Sequence, residues 1–143
     1  MATKVWAKGT ILRLNGTAIV SVRDIRGPAR SRATIDMTTH DSSNNYDEWV
    51  AALRSGGDLT ANIIYDPTTA THGTPANGLN WQFDDAGGTP GSWDLIFPIT
   101  GSPGFTFSGE LTQFAPSAPV KDALTADITI KLTGKATYRA AIT

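Results

Sequence analysis

Apolar and polar residues alternate along much of this chain, and the alternation predicts a protein built mainly of β-strands. The cleanest example is the stretch 124–133, in which every second residue is apolar. A period of two residues is typical of a strand that buries one face, so we interpret this stretch as a central strand with one polar face. The residues predicted on that polar face are Thr125, Asp127, Thr129 and Lys131.

Shorter stretches with the same period predict the remaining strands. Two of them flank Asn15-Gly16, a dipeptide that favours a tight β-hairpin turn, and Gly27-Pro28 ends the second. Pro98 indicates a sheet edge or a bend, and Gly109 is a candidate bulge. The predicted strands cover about residues 11–14, 18–22, 30–38, 59–65, 93–97, 105–112 and 124–133.

One stretch departs from this period and predicts a helix. Its large apolar residues follow the i, i+3, i+4, i+7 spacing of a single helical face. These residues are Tyr46, Trp49, Val50 and Leu53. Asn45 could cap the helix, and Gly56-Gly57 could supply left-handed backbone for its exit. A helix of about three turns cannot build a core alone, so we expect it to cover a sheet.

These elements together predict the fold class. A chain of 143 residues is long enough to bury a core without disulfides or metal, so we treat residues 1–143 as a single domain. About seven strands and one helix predict a mainly β fold. The expected architecture is a β-sandwich or a partly closed barrel of about seven strands with one flanking α-helix.

Two segments lack a clear period. Residues 1–8 read as an extended arm with one large apolar residue, Trp6, which is either a frayed terminus or an arm that docks on a neighbouring subunit. Residues 66–91 form a long connection that is rich in glycine and proline. It still contains large apolar residues, so we expect part of it to pack on its own domain or on another copy. These residues are Leu79, Trp81 and Phe83.

Composition excludes several function classes. The net charge is −1 and there are no cysteines, so a strong basic field, a disulfide framework and thiolate zinc sites are all absent from the sequence. The first residues have no apolar run that resembles a signal peptide or a membrane anchor, and we expect synthesis in the cytoplasm. Four arginines nevertheless cluster in ten residues, as a solvated face, an inter-subunit face or an anion site; they are Arg23, Arg26, Arg30 and Arg32.

The search for catalytic chemistry gives little. His40 and His72 are the only histidines, and His40 with Asp36 and Asp41 would make at most a weak metal site. The sequence has no nucleophile elbow, no phosphate-binding loop, no dinucleotide-binding fingerprint and no zinc-protease motif. We therefore expect a protein that is not an enzyme and needs neither a cofactor nor a metal.

Several motifs follow one another in a recognisable order. A strand ends in Asp36-Met37-Thr38, an acidic segment with Trp49 follows, and the sequence Gly56-Gly57-Asp58-Leu59 leads into the next strand. A late Phe105-Thr106-Phe107-Ser108-Gly109 precedes the final strand. In order and spacing these motifs resemble those of the tail tube proteins of long-tailed bacteriophages, over most of the chain. Tube proteins of secretion systems and of contractile tails share that architecture.

The resemblance implies a structural subunit that assembles as stacked hexameric rings into the tail tube of a virion, through which DNA passes without specific binding. It implies further partners as well: the tape measure, tail tip and tail terminator proteins. Subunit contacts would involve the helix, the long loop and the N-terminal arm, and the polar face of the last strand would be a candidate lining of the lumen. The residues implied in subunit contacts are Trp6, Tyr46, Trp49, Val50, Leu53, Leu79, Trp81 and Phe83.

An alternative of another class stays open at the level of sequence. Exposed tryptophans can stack on the faces of sugar rings, and Trp81 and Trp93 lie in or beside the long loop. A carbohydrate-binding β-sandwich module that uses these two residues is therefore the competing interpretation.

Overall fold

The computed structural model describes residues 5–41, 44, 46–84 and 89–143. The expected cap at Asn45, half of the N-terminal arm and part of the long loop lie outside these ranges. Among the described residues the chain forms nine strands and one short helix. Their bounds are β1 Ile11–Leu14, β2 Thr17–Ala18, β3 Val22–Arg26, β4 Ser31–Asp36, β5 Trp49–Ser55, β6 Asp58–Ile64, α1 Leu79–Asp84, β7 Gly91–Ile96, β8 Gly104–Ser117 and β9 Thr125–Arg139.

Seven strands form one antiparallel sheet that curls into a half-barrel, in the order β2-β1-β7-β8-β9-β6-β3. The long strands β8 and β9 pair along most of their length and occupy the middle of the sheet. The expectation of a mainly β fold with a partly closed barrel is therefore confirmed, and the 124–133 stretch is a central strand as predicted.

The core lies on the concave face of this sheet. On β9 the buried residues are the apolar half of the alternation, including Ala126, Ile128 and Ile130. They pair with buried residues of β6, such as Leu59 opposite Ile130. Trp93 of β7 is fully buried, and its indole N–H donates to the carbonyl oxygen of Gly109 at 3.1 Å. Apolar side chains of both halves of the curled sheet thus share one core.

The predicted hairpin at Asn15-Gly16 is present, and both residues have positive φ angles of 52° and 87°. Its return strand is shorter than expected. β2 ends at Ala18, and the chain crosses to the other end of the sheet before β3 begins at Val22. A positive φ of 61° at Ser21 marks this break, which alternation alone could not indicate.

The predicted helix over Tyr46–Leu53 is wrong. Residues 49–55 instead form β5, which pairs with β4 in a separate two-stranded sheet. The reason lies in a bulge: Thr34 pairs with Ala51 and Arg32 with Arg54, so residues three apart on β5 oppose residues two apart on β4. Side chains three apart can then share a face, which imitates helical spacing. Tryptophan and valine also favour strands over helices.

Gly56-Gly57, expected as a helix exit, instead joins β5 to β6. Gly57 has a φ of 70°, and a β-carbon on it would collide with the carbonyl oxygen of Ala29. Gly27 has a φ of 112°, and a β-carbon there would lie 2.7 Å from the carbonyl oxygen of Asp58. Because both backbones approach so closely, only glycine fits, and these contacts fix the root of the β4–β5 hairpin on the main sheet.

Of two smaller predictions, the one for Gly109 is wrong, and of the two alternatives for Pro98 the bend is confirmed and the edge is not. Gly109 is not a bulge: it pairs regularly with Gly91 and Leu132, while the bulges of β8 lie between Thr106 and Ser108 and between Leu111 and Gln113. Pro98 follows the end of β7, as a bend requires, but β7 lies between β1 and β8 and is not an edge strand.

Candidate assembly surfaces

The convex face of the sheet carries the polar residues predicted on β9. Asp127 and Lys131 are exposed, whereas Thr125 and Thr129 are half-buried by their neighbours. Asn62 of β6 donates to the Asp127 carboxylate at 2.6 Å. The structure therefore brings the four predicted residues together on one face, as the two-residue period requires.

Charged side chains of both signs lie near the middle of this convex face. Lys131 pairs across the sheet with Asp58 on one side and with Glu110 on the other. With Asp127 this makes three carboxylates against one ammonium group at these four positions. Lys135, which is also exposed and lies four residues further along β9, adds positive charge beside these positions.

The β4–β5 hairpin projects from the domain, because its two strands contact mainly each other. Every residue of β4 is exposed, and in β5 all except Ala52 are exposed. The sequence predicted a half-buried strand here, and that burial is absent from the isolated chain. An isolated two-stranded sheet in water is marginally stable, because it lacks the further strands and the buried face that stabilise the main sheet.

Large apolar side chains occupy the exposed hairpin. Ile35 and Val50 are direct partners and so share a face, and each has about half of its surface in water. The four residues that the sequence assigned to a helix are all exposed as well, by 74% for Tyr46, 57% for Trp49, 50% for Val50 and 89% for Leu53. The described part of the same chain therefore leaves these apolar side chains largely uncovered.

A concave cleft lies at the root of the hairpin. It has a volume of about 1480 Å³ and runs between the hairpin root and the middle of β8 and β9, near Glu110 and Lys131. Arg32 and Arg54 are paired across the hairpin and both line the cleft. Arg30 also lines it and lies 4.9 Å from the centre of the Phe105 ring, a cation–π distance.

The described part of the N-terminal arm leaves Trp6 84% exposed. Together with Val5 it borders a second, smaller cleft of about 310 Å³, whose far wall includes Phe97 and Ile99. Trp6 thus offers a large apolar surface that the rest of its own domain does not cover.

The long loop divides into a packed part and an exposed part. Leu79 of α1 is fully buried in the core of its own subunit, so its assignment to a subunit contact is wrong for the folded chain. Trp81 is half-buried, and Phe83 has 48% of its surface exposed. The expectation that part of this loop packs on its own domain is therefore confirmed.

His72, which the sequence left without a role, anchors this loop. Its imidazole is fully buried, with Nδ1 3.2 Å from the backbone nitrogen of Asp66 and Nε2 2.8 Å from the carbonyl oxygen of Val20. Since an amide can only donate and a carbonyl can only accept, the proton of the neutral ring resides on Nε2. No pattern in the sequence distinguishes this histidine from the exposed His40.

Asp66 closes the turn at the start of the loop. Its carboxylate accepts hydrogen bonds from the hydroxyl and the backbone N–H of Thr68, at 2.6 and 3.0 Å. The hydrogen bond from the Thr68 hydroxyl makes the largest contribution and that from the Thr68 N–H the second largest, and together they lower the pKa of Asp66 below the usual 3.8. In the same way the Thr38 side chain and N–H lower the pKa of Asp36 in the hairpin.

One of the two tryptophans of the sugar-binding interpretation, Trp93, is not accessible to a ligand. Trp93 lies wholly inside the core, where no ring face is available to a ligand. Within the described ranges, no three His, Asp or Glu side chains gather in a manner that could hold a metal ion, so His40, Asp36 and Asp41 do not form such a site. In the same ranges, no helix has the length and apolar composition needed to cross a membrane.

No protein family model and no curated protein matches this chain. Solved structures do match it. A chain from the tail of an empty gene transfer agent particle with C6 symmetry aligns with a TM-score of 0.73 and 14% identity, over 95% of this chain and 99% of that one. A chain from the sheath/tube terminator of an extracellular contractile injection system gives 0.74 and 9%, over 96% and 98%. One from the sixfold-symmetrised baseplate of the anti-feeding prophage gives 0.69 and 12%, over 97% of both chains.

At these identities the likeness concerns the fold. The chain shares its fold with these chains from a gene transfer agent tail, a contractile injection system and the anti-feeding prophage baseplate, in line with the sequence resemblance.

Proposed function

We propose that this protein is the structural subunit of a bacteriophage tail tube, in which copies form hexameric rings that stack into a conduit for DNA. The observation that carries the proposal is the β4–β5 hairpin, which exposes both faces and several large apolar residues on a chain with a tail tube-like fold. Burial against other copies would supply the support that the hairpin lacks.

In such a tube the convex face of the sheet, with Thr125, Asp127, Thr129 and Lys131, lines the lumen. Three of these four positions carry neutral or acidic side chains, which supports the assignment, because a lumen that bound phosphates would retain the DNA. The subunit contributes no catalysis and no cofactor site. It is made in the cytoplasm of the host bacterium and becomes part of the virion.

The contacts between copies use the exposed apolar residues that the hairpin, the arm and the loop present. The proposed contact residues are Trp6, Tyr46, Trp49, Val50, Leu53, Trp81 and Phe83. At the ends of the tube, tape measure, tail tip and tail terminator proteins would be the partners.

Electron microscopy of the purified protein over a concentration series, with light-scattering mass on the same samples, tests this proposal. We expect hollow tubes or sixfold rings above a threshold concentration. A particle that stays monomeric throughout the series, also after addition of preformed tail-tip complexes from the same phage, would overturn it.

A further inference from the structure

The β4–β5 hairpin carries opposite charges at its two ends. Residues 33–53 contain four acidic residues and neither lysine nor arginine. The acidic residues, which we call the acidic end of the hairpin, are Asp36, Asp41, Asp47 and Glu48. At the root, Arg32 and Arg54 are direct cross-strand partners. Like charges in that position repel each other, so a negative group placed between them would be favourable.

The cleft at the root extends this positive charge. Five cationic side chains and one carboxylate line it, and we call it the basic cleft; these residues are Arg30, Arg32, Arg54, Lys131, Lys135 and Glu110. The cleft is open and large enough, at about 1480 Å³, to take a turn of polypeptide. A segment with several carboxylates would complement it.

The acidic end cannot reach the basic cleft of its own subunit. Asp47 lies seven positions from Arg54, or about 23 Å at about 3.3 Å per residue. The shortest separation, between Asp36 and Arg32 on β4, is about 13 Å on the same scale. Both distances exceed the screening length of about 8 Å at physiological ionic strength. The acidic end of the same copy therefore does not occupy the cleft.

We propose that the acidic end of the hairpin of one copy docks in the basic cleft of a neighbouring copy. This inference rests on the proposed tube function and names the partner surface of the hairpin. The contact is heterologous, since two different patches meet, and repetition of such a contact produces rings or open-ended stacks. A tube requires contacts of this type.

A second copy fits the cleft better than a nucleic acid does. The acidic end also carries exposed Tyr46 and Trp49, whose burial would add apolar stabilisation to the charge pairing. The β4–β5 hairpin carries both the acidic end and the root arginines Arg32 and Arg54, so every copy has both of the surfaces that the contact needs.

Charge reversal tests the docking. Arg54→Glu and Asp47→Lys should each raise the concentration needed for tube formation about tenfold or more, the effect of losing roughly 1.4 kcal/mol per contact. The double variant, which restores opposite charges, should return close to wild type. Lys121→Glu and Asp122→Lys are matched controls, because both residues are exposed and lie outside the hairpin and the cleft. Their thresholds should not change.

Cross-linking provides a second, independent readout. Because the chain has no cysteine, the variant Asp47→Cys/Arg54→Cys contains only the two introduced thiols. They are too far apart within one subunit to form a disulfide, which needs α-carbons within about 7 Å. Mild oxidation of the assembled variant should therefore yield a ladder of covalent multimers, whereas Asp47→Cys/Lys121→Cys should not.

The possible outcomes separate the two proposals. Wild-type tubes with unchanged thresholds in Arg54→Glu and Asp47→Lys, or with no ladder from the cysteine pair, would overturn the docking and leave the tube function intact. Loss of binding to a DNA oligonucleotide in Arg54→Glu, with assembly unchanged, would assign the cleft to nucleic acid instead. Failure of the wild type to assemble under any condition would overturn both.

Discussion

The curled sheet and the projecting hairpin are built from the same kind of residues, yet their environments are opposite. On β9, apolar residues such as Ile128 and Ile130 are buried by other strands of the same chain. On the hairpin, Ile35 and Val50 follow the same alternation and have about half of their surface in water. Alternation therefore indicates which residues share a face of a strand, and it does not indicate whether the same chain covers the apolar face.

Removal of a core side chain from the curled sheet should change the free energy of unfolding most. Trp93→Ala should lower the free energy of unfolding by about 3–5 kcal/mol, because it leaves a large cavity in the core and removes the hydrogen bond to the Gly109 carbonyl. Thermal or denaturant unfolding of the monomer measures this loss. Trp81→Ala, at a half-buried site, should cost clearly less, and equal losses would contradict the burial of Trp93.

Trp49→Asp tests the hairpin side. The side chain is exposed in the isolated chain, but the new carboxylate would face Asp36 across the hairpin, so the free energy of unfolding of the monomer should fall by no more than about 1 kcal/mol. The concentration needed for assembly should rise about tenfold or more, since a charge would replace an apolar contact. Sedimentation and electron microscopy measure the threshold. Normal tubes at the wild-type concentration would remove Trp49 from the contact.

Loss of the histidine that attaches the long loop to the main sheet should lower the free energy of unfolding by less than Trp93→Ala does. His72→Leu keeps the volume apolar but leaves the Val20 carbonyl and the Asp66 N–H without their buried partner, which should cost about 1–3 kcal/mol of unfolding free energy. Thr74→Ala, at an exposed position of the same loop, is the control. A melting temperature equal to that of the control would mean that the histidine does not anchor the loop.

The smallest effect concerns the turn at Asp66. Because the folded state lowers the pKa of this carboxyl, its stabilising contribution is present above about pH 4 and is lost as the pH falls below its usual value of 3.8. Asp66→Asn should therefore flatten the acid side of the stability–pH curve slightly. Asp84→Asn, an exposed carboxyl at the end of α1, serves as control, and indistinguishable curves for the two variants would contradict the assignment.

The sequence predicted the main sheet well because each of its strands buries one face inside the domain. Alternation in 124–133 and the turn at Asn15-Gly16 are local signals, and the fold agrees with both. The hairpin was mistaken for a helix because a bulge opposite Arg32 and Thr34 changes the spacing, and because no cover in the same chain enforces the two-residue period.

The sequence predicted only part of the basic cleft, because it predicted a helix in place of β5. The sequence shows the cluster from Arg23 to Arg32. Arg54 lies beside Arg32 only because β4 pairs with β5, and the predicted helix over 46–53 excluded that pairing. The buried His72 carried no signal, since its partners are backbone groups of Val20 and Asp66 that only the tertiary structure brings near.

Hydrogen exchange measured on free and assembled protein tests the central claim most directly. Amides of β9 should be protected in both states, because the strand is central in the sheet. Amides of β4 and β5 should exchange rapidly in the free chain and become protected at least about a hundredfold on assembly, as their exposed faces are covered. Hairpin amides that are already as protected as β9 in the free chain, or that stay rapid in the assembled particle, would contradict the account.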